Sequence, residues 1–402
     1  MNVLLAAALV CSTVSGAQPG SVSSADLVRA DNEFGFEIFR SIVASNLLPN
    51  VFISPLSVAI ALQMTAQGSA GATWDAMSGA MKVSALSQAV VAAVNQELRG
   101  QLIGTDKGVR LDIANSLWLR QGASLQKEFV ADCGKYYEAP VTTLNFGSPD
   151  AVPAINGWVS KNTGARITKI VNELSPREIL VLVNAIYFKG TWTKAFNPKL
   201  TAPRQFHTRL WGWQRPMMRR KGTFRYKEDD AMQAAVLPYG EGRLNMYVFL
   251  PRDSHEDPLK EGLGRLIEAT KPEDFAGLFT RFEERRGTVI LPRFKIEFEQ
   301  DLGKVLTELG MGRAFTPSAD FSGIVAPPDT ALITRVLHKA CIEVNEQGTE
   351  AAAATAVIKD GGVLAPEEEF SFVCDHPFLC AIRDDVIGLV LFLGAISYLP
   401  KQ

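Results

Sequence analysis

An α+β fold is what the sequence predicts, and three observations predict it. Apolar spacing near 3.6 dominates residues 25–138, strand-like runs bounded by Gly and Pro take over from residue 180, and no βαβ alternation joins the two halves. Leu27, Phe34, Ile38, Phe39, Ile42 and Val43 set a helix over 25–48. Ser54 then stands as a hydroxyl N-cap, with Pro55 at N1 of the mostly apolar SPLSVAIALQMTAQG, which Gly68 closes. Two further helical stretches cover roughly 70–102 and 125–138. Past residue 180, LVLVNAIYFKG, AAVLPYG, LNMYVFLP, TVILPRFKIEF and TRVLHKACIEV read as strands. SFVCDHPFLCAIR and LVLFLGAISYL continue in that style, and no repeat or linker-like shift interrupts residues 25–400.

Composition excludes several classes. A chain of 402 residues with 47% hydrophobic and 21% charged residues is neither disordered nor fibrous. With 41 basic against 43 acidic residues there is no strong field, so neither a nucleic acid nor a polybasic membrane contact is expected. Residues 1–17, MNVLLAAALVCSTVSGA, have the apolar run and small-residue exit of a secretory signal peptide. No later run of about 18 apolar residues occurs, so a secreted, extracellular protein with no membrane span is expected.

Cys11 leaves with the signal. Cys133, Cys341, Cys374 and Cys380 show no CxxC or Cys/His metal spacing, and each reads first as a small buried hydrophobe, with one bridge left open. No metal and no cofactor is expected. GxSxG, HExxH, a P-loop and a strand-borne GxGxxG are all missing. Four histidines exist, and none stands in the context of a Ser-His-Asp site; His376, before Pro377, reads as structural and His338 as a buried polar partner. The chain does not read as an enzyme.

Residues 346–369, EQGTEAAAATAVIKDGGVLAPEEE, are the oddest segment. Strands flank it, and loops of about twenty residues without structure of their own are uncommon in compact domains. It is either a plain surface loop or a strip whose small side chains let it slide between two existing strands.

The motifs carrying a family resemblance run almost from Ala25 to Pro400. They include NVFISPLSVAIAL, LDIANSLWL, INGWVSKNTGARI, LVLVNAIYFKGTW, LPYGEG, LPRFKIE, ADFSGI, LHKACIEVNEQGTEAAAATA and DHPFLCAIRD, in family order. The chain resembles a serpin. That resemblance implies a single domain over 18–402 with three β-sheets, about nine helices and an exposed reactive-centre loop near 346–369. It implies a monomeric inhibitor used once: a serine protease cleaves the loop and is held as an acyl-enzyme while the loop inserts as a strand in the large sheet.

Residue by residue, Gly348, Thr349, Glu350, Ala351, Ala352, Ala353, Ala354 and Thr355 match the hinge of inhibitory members. Glu346, Arg293 and Trp192 match the opening where the loop meets the sheet, with Glu346 and Arg293 expected as an ion pair. Ser54, Ser57, Asn184 and His338 match the polar cluster beneath it. Family spacing puts the reactive bond between Gly362 and Val363, with Leu364 as the alternative, which points to elastase-like or chymotrypsin-like targets. Lys359 departs from the pattern, since strand alternation would turn it inward with Ala351, Ala353, Thr355 and Val357. The Gly-Gly at the expected bond and Lys359 keep a non-inhibitory carrier or substrate as the alternative. A glycosaminoglycan partner finds little support: Arg215, Arg219, Arg220 and Lys221 form one cluster and Arg281, Arg285 and Arg286 another, and both read better as solvated faces.

Overall fold

The computed structural model describes residues 24–45, 50–104, 106–208, 212–252, 262–349 and 369–401. α1 (Ser24–Ser45) leads to β1 (Val51–Ile53), α2 (Pro55–Ala66), α3 (Gly71–Ala80) and α4 (Gln88–Leu102). β2 (Val109–Arg120), α5 (Lys127–Tyr137), β3 (Val141–Leu144), α6 (Ala151–Asn162) and β4 (Leu180–Thr191) follow. Then come β5 (Ala202–His207), β6 (Gly212–Glu228), β7 (Met232–Pro238), β8 (Leu244–Pro251), α7 (Leu263–Ala269), β9 (Glu283–Pro292) and β10 (Phe294–Asp301). α8 (Gly303–Leu306), β11 (Ile333–Val344), β12 (Gly348–Thr349), β13 (Phe370–Val373), β14 (Phe378–Asp384) and β15 (Leu389–Ile396) complete the order.

The α+β class is as expected, but helices and strands are less segregated than the pattern implied. β2 lies in the helical half. Asn115 to Leu119 are buried on both faces, so no alternation marked it as a strand. α6 buries only Ala151, Ile155 and Val159, a stripe too narrow to stand out. TVILPRFKIEF is two strands, because the chain changes sheets at Arg293.

Hydrogen bonds group the strands into two sheets where the resemblance implied three. β6 accounts for the difference: 212–217 pair with β5, 217–226 with β9, and 226–228 with β7, so one long strand joins three ladders in a single sheet. The other sheet runs β10-β11-β4-β2-β3, with β12 attached to β4. Its centre is sealed on both sides. Leu180, Leu182, Ile186 and Phe188 face the main core, whereas Val181, Val183, Ala185 and Tyr187 join a second cluster with Ile155 and Val159 of α6. α2 lies under this sheet with all twelve residues buried, capped by the Ser54 hydroxyl accepting from the Ser57 amide. Among the described residues no helix is long and apolar enough to cross a membrane, and all four cysteines are buried and unbridged.

Candidate functional site

β4 and β11 are parallel neighbours from Ile333–Leu180 to Cys341–Tyr187. Beyond Tyr187 the edge of β4 is taken by β12, with Gly348 across from Thr191 and Thr349 across from Gly190, antiparallel. The chain therefore leaves β11, reverses at residues 345–348 and pairs with β4 at the head of the β4–β11 seam. Gly348 makes the reversal feasible: its φ is +138°, and a Cβ would sit 2.1 Å from the Gly190 carbonyl oxygen.

This reversal is clamped from one side. The Trp192 amide donates to the Gln347 carbonyl at 2.8 Å, its indole Nε1 to the Asn345 carbonyl at 2.9 Å, and the Phe196 amide to the Glu346 carbonyl at 2.7 Å. Trp192 itself is stacked on Tyr239, centroids 4.3 Å apart. The Glu346 carboxylate lies 3.6 Å from Arg293 Nε and accepts a shorter bond, 2.7 Å, from the Thr201 hydroxyl. Arg293 is 41% exposed, so the ion pair contributes about 1 kcal/mol or less, and Thr201 is the tighter hold.

Below the β4–β11 seam, register sets Asn115, Asn184 and His338 side by side on three strands. Asn184 Nδ2 donates to the Ser57 carbonyl at 2.9 Å and also meets the Ser57 hydroxyl and Asn115 Oδ1. Its Oδ1 meets His338 Nδ1, while His338 Nε2 accepts from the Ser54 amide at 3.3 Å. The Ser54 hydroxyl donates to the Leu391 carbonyl at 2.6 Å. These contacts need a neutral imidazole protonated at Nδ1, and burial pushes the His338 pKa down to about 3. The arrangement ties β2, β4 and β11 to the start of α2 as a polar latch across the seam.

The comparisons with known proteins bear on what such a seam is for. The family described as Serpin (serine protease inhibitor) matches residues 29–399. The chain belongs to the serpin family. It is 34% identical over 385 residues to the leukocyte elastase inhibitor of Bos taurus, covering 92% of this chain and 99% of that one. An uncharacterized serpin-like protein of Thermococcus kodakarensis is 34% identical over 379 residues, covering 94% and 86%. Among solved structures, Arabidopsis AtSerpin1 in its native stressed conformation superposes with a TM-score of 0.84 at 28% identity, covering 94% of this chain and all of that one.

Of the residues expected at the serpin's opening and latch, the structure brings Glu346, Arg293 and Trp192 together in one place and Ser54, Ser57, Asn184 and His338 in the other. Gly348 and Thr349 head the seam. Glu350, Ala351, Ala352, Ala353, Ala354, Thr355, Lys359, Gly362, Val363 and Leu364 lie outside the described residues, as do residues 1–17, expected as a signal peptide. Sequence reasoning missed Asn115 and Thr201. An asparagine inside the apolar run LDIANSLWL was a readable signal for the first, whereas an exposed-looking threonine after a proline turn gave none for the second.

The two basic clusters are solvated only in part: Arg219, Lys221, Arg281 and Arg286 are exposed as expected, whereas Arg215, Arg220 and Arg285 are not. Arg215 is buried and donates to the Leu399 carbonyl at 2.7 Å, and Arg220 lies over the Phe196 and Phe224 rings, where burial lowers its pKa to about 10. Lys221 and Arg286 both grip Glu369, at 2.8 and 3.2 Å, and Arg285 pairs with Glu228. They anchor the segment entering β13. His376 is structural too, bonded to Asp375 and to the Pro251 carbonyl at 2.8 Å each.

Proposed function

We propose that the protein is a secreted suicide inhibitor of serine proteases, directed at elastase-like or chymotrypsin-like enzymes, and not a catalyst. The observation that carries this reading is β12. It starts a strand antiparallel to β4 at the head of the seam, and a longer β12 would run antiparallel to β11 as well. One parallel pairing would be exchanged for two antiparallel ones, which are slightly stronger per residue.

Carried on in the same register, Ala351 comes opposite Phe188, Ala353 opposite Ile186, Thr355 opposite Asn184 and Val357 opposite Leu182. The intervening Ala352, Ala354 and Ala356 come opposite Tyr187, Ala185 and Val183, on the α6 side. Both faces are sealed, so both must receive small neutral side chains, and this sequence supplies them. Thr355 would bring a hydroxyl to the Asn184 amide as the Asn184–His338 contact parts. Glu350 would stand opposite Lys189, a favourable cross-strand charge pair.

On the order of ten new backbone hydrogen bonds at about 1 kcal/mol each rival the 5–15 kcal/mol (order of magnitude) that stabilise a whole domain. The uncleaved fold is then held by a barrier, the latch and the clamp, and loop cleavage releases it. Cleaving the loop is expected to raise the unfolding midpoint by roughly 10 °C, since about 10 kcal/mol acts against an unfolding entropy of about 2.1 cal/mol/K per residue in a chain of this size. Differential scanning calorimetry before and after limited proteolysis measures this. An unchanged midpoint would favour the second reading, a non-inhibitory carrier, to which Lys359 and the Gly361-Gly362 pair already lend weight.

A further inference from the structure

Away from the seam, a buried run of polar side chains threads the helix layer. Asp31 of α1, Gln63 of α2 and Asn95 of α4 are exposed by 1%, 1% and 2%. Gln63 Nε2 donates to Asp31 Oδ1 at 2.6 Å, and Asn95 Nδ2 donates to Gln63 Oε1 at 2.7 Å and to the Val91 carbonyl at 2.8 Å. Two acceptors are left over: Asp31 Oδ2 and Asn95 Oδ1 have no hydrogen-bond partner among the described residues. The donors left for them are the hydroxyl of Tyr137, which accepts from Gln67 Nε2 at 3.2 Å, and a proton on Asp31 itself.

Among the described residues no cation balances a charge at that position. On α5, Tyr137 faces Asp31 with Cys133 behind it, and burial keeps both neutral, Cys133 at a pKa of about 12. Arg99 of α4 turns to the Tyr137 carbonyl and the Glu138 carboxylate. Lys82 pairs with Glu37, and Arg29 with Asp26 and Glu33, at the surface of α1. β1 and β15, packed against α1, carry no ionisable side chain. Glu273, Asp274 and Lys304, on the other elements beside α1, are exposed. Burial accordingly pushes the Asp31 pKa up from 3.8 to about 7, with the Gln63 hydrogen bond opposing it.

We propose that Asp31 is a proton-operated lock on the helix layer: as a neutral acid it ties α1, α2 and α4 together, and on ionising it loosens them. The direction follows from linkage. The folded chain keeps this proton to a higher pH than the unfolded chain, so the stability it contributes is full below about pH 4 and is lost as pH rises to about 7. His338 slopes the opposite way. Neutral in the fold, it contributes stability that is full above 6.5 and is lost as pH falls towards 3. The two trends offset one another in the wild-type protein, which masks the lock in a simple pH profile. α2 also carries Ser54 and Ser57 under the seam, so loosening it would ease strand separation; that consequence rests on the inhibitory reading, the lock does not.

The test compares unfolding midpoints of the full chain and of Asp31→Asn across about pH 4 to pH 9. Asparagine keeps the shape, supplies a donor and does not titrate. The variant is expected to gain on the wild type steadily up to about pH 7 and to hold a constant advantage above it, whatever His338 does to both. Parallel curves overturn the proposal. Should the variant fail to fold, infrared spectra of the wild-type protein decide: a protonated-carboxyl band that persists at pH 6 and fades near pH 7 is expected, and its absence at pH 6 overturns the lock.

Discussion

On the proposed inhibitory reading, replacing Ala353 by arginine is expected to turn a protease trap into a protease substrate. In the register that β12 begins, residue 353 comes opposite Ile186, which is completely buried. An alanine there fills the space of a methyl group. A guanidinium there has no charged partner, because its neighbours on that face of β4 are Phe188, Ile186 and the neutral Asn184, whose amide is already bonded to Ser57 and His338. Burying an unpaired charge costs several kcal/mol even after relaxation. At about 1.4 kcal/mol for each factor of ten in rate, strand insertion slows by a factor of a hundred or more. Deacylation of the trapped enzyme does not slow with it, so hydrolysis wins. The loop should still be cut at the wild-type rate, while the ratio of covalent complex to cleaved inhibitor falls by about a hundredfold. A variant that traps as well as the parent would mean that residue 353 does not enter the sheet.

Lys359→Ala is expected to act in the opposite sense. The same register sets Lys359 opposite Leu180, the first residue of β4 and completely buried on the main-core face. Its ammonium must either lose water or snorkel past the end of the strand. The wild-type protein then starts insertion easily on its alanines and is held back over the last residues, letting part of the protease escape. Removing about 1.4 kcal/mol of that resistance raises the ratio of trapped to merely cleaved inhibitor about tenfold. Densitometry of both products at fixed protease measures it. An unchanged ratio would place Lys359 outside the inserted strand.

These two substitutions also mark what the sequence made legible. The alanine strip and His338 were legible from residue types, small side chains where a core strand would carry large ones and a histidine after an apolar run, whereas the hinge glycine and Ser54, Ser57 and Asn184 of the latch were named only through the serpin resemblance. The reason Gly348 must be glycine was not legible. It lies in the approach of a backbone oxygen from β4, more than 150 residues earlier in the chain. Thr201 was hidden for the same kind of reason, since only the folded chain brings a residue before β5 to Glu346. β2 escaped notice because a strand buried on both faces carries no period of two, and three sheets became two because a single strand, β6, is long enough to join three ladders. Asp31 was invisible in the sequence, one aspartate on a helix otherwise rich in surface charge, until the packing of α1 against α2 and α4 enclosed it.

The central claim, that cleavage of this loop drives it into the seam and traps the enzyme, is tested most directly by mixing the full-length protein with elastase-, chymotrypsin- and trypsin-like proteases and boiling each mixture in detergent. An elastase-like or chymotrypsin-like enzyme should give a covalent band near the summed masses of protein and protease, with the protease inactive. Clean cleavage in the loop by every enzyme, with full protease activity remaining, would contradict the account.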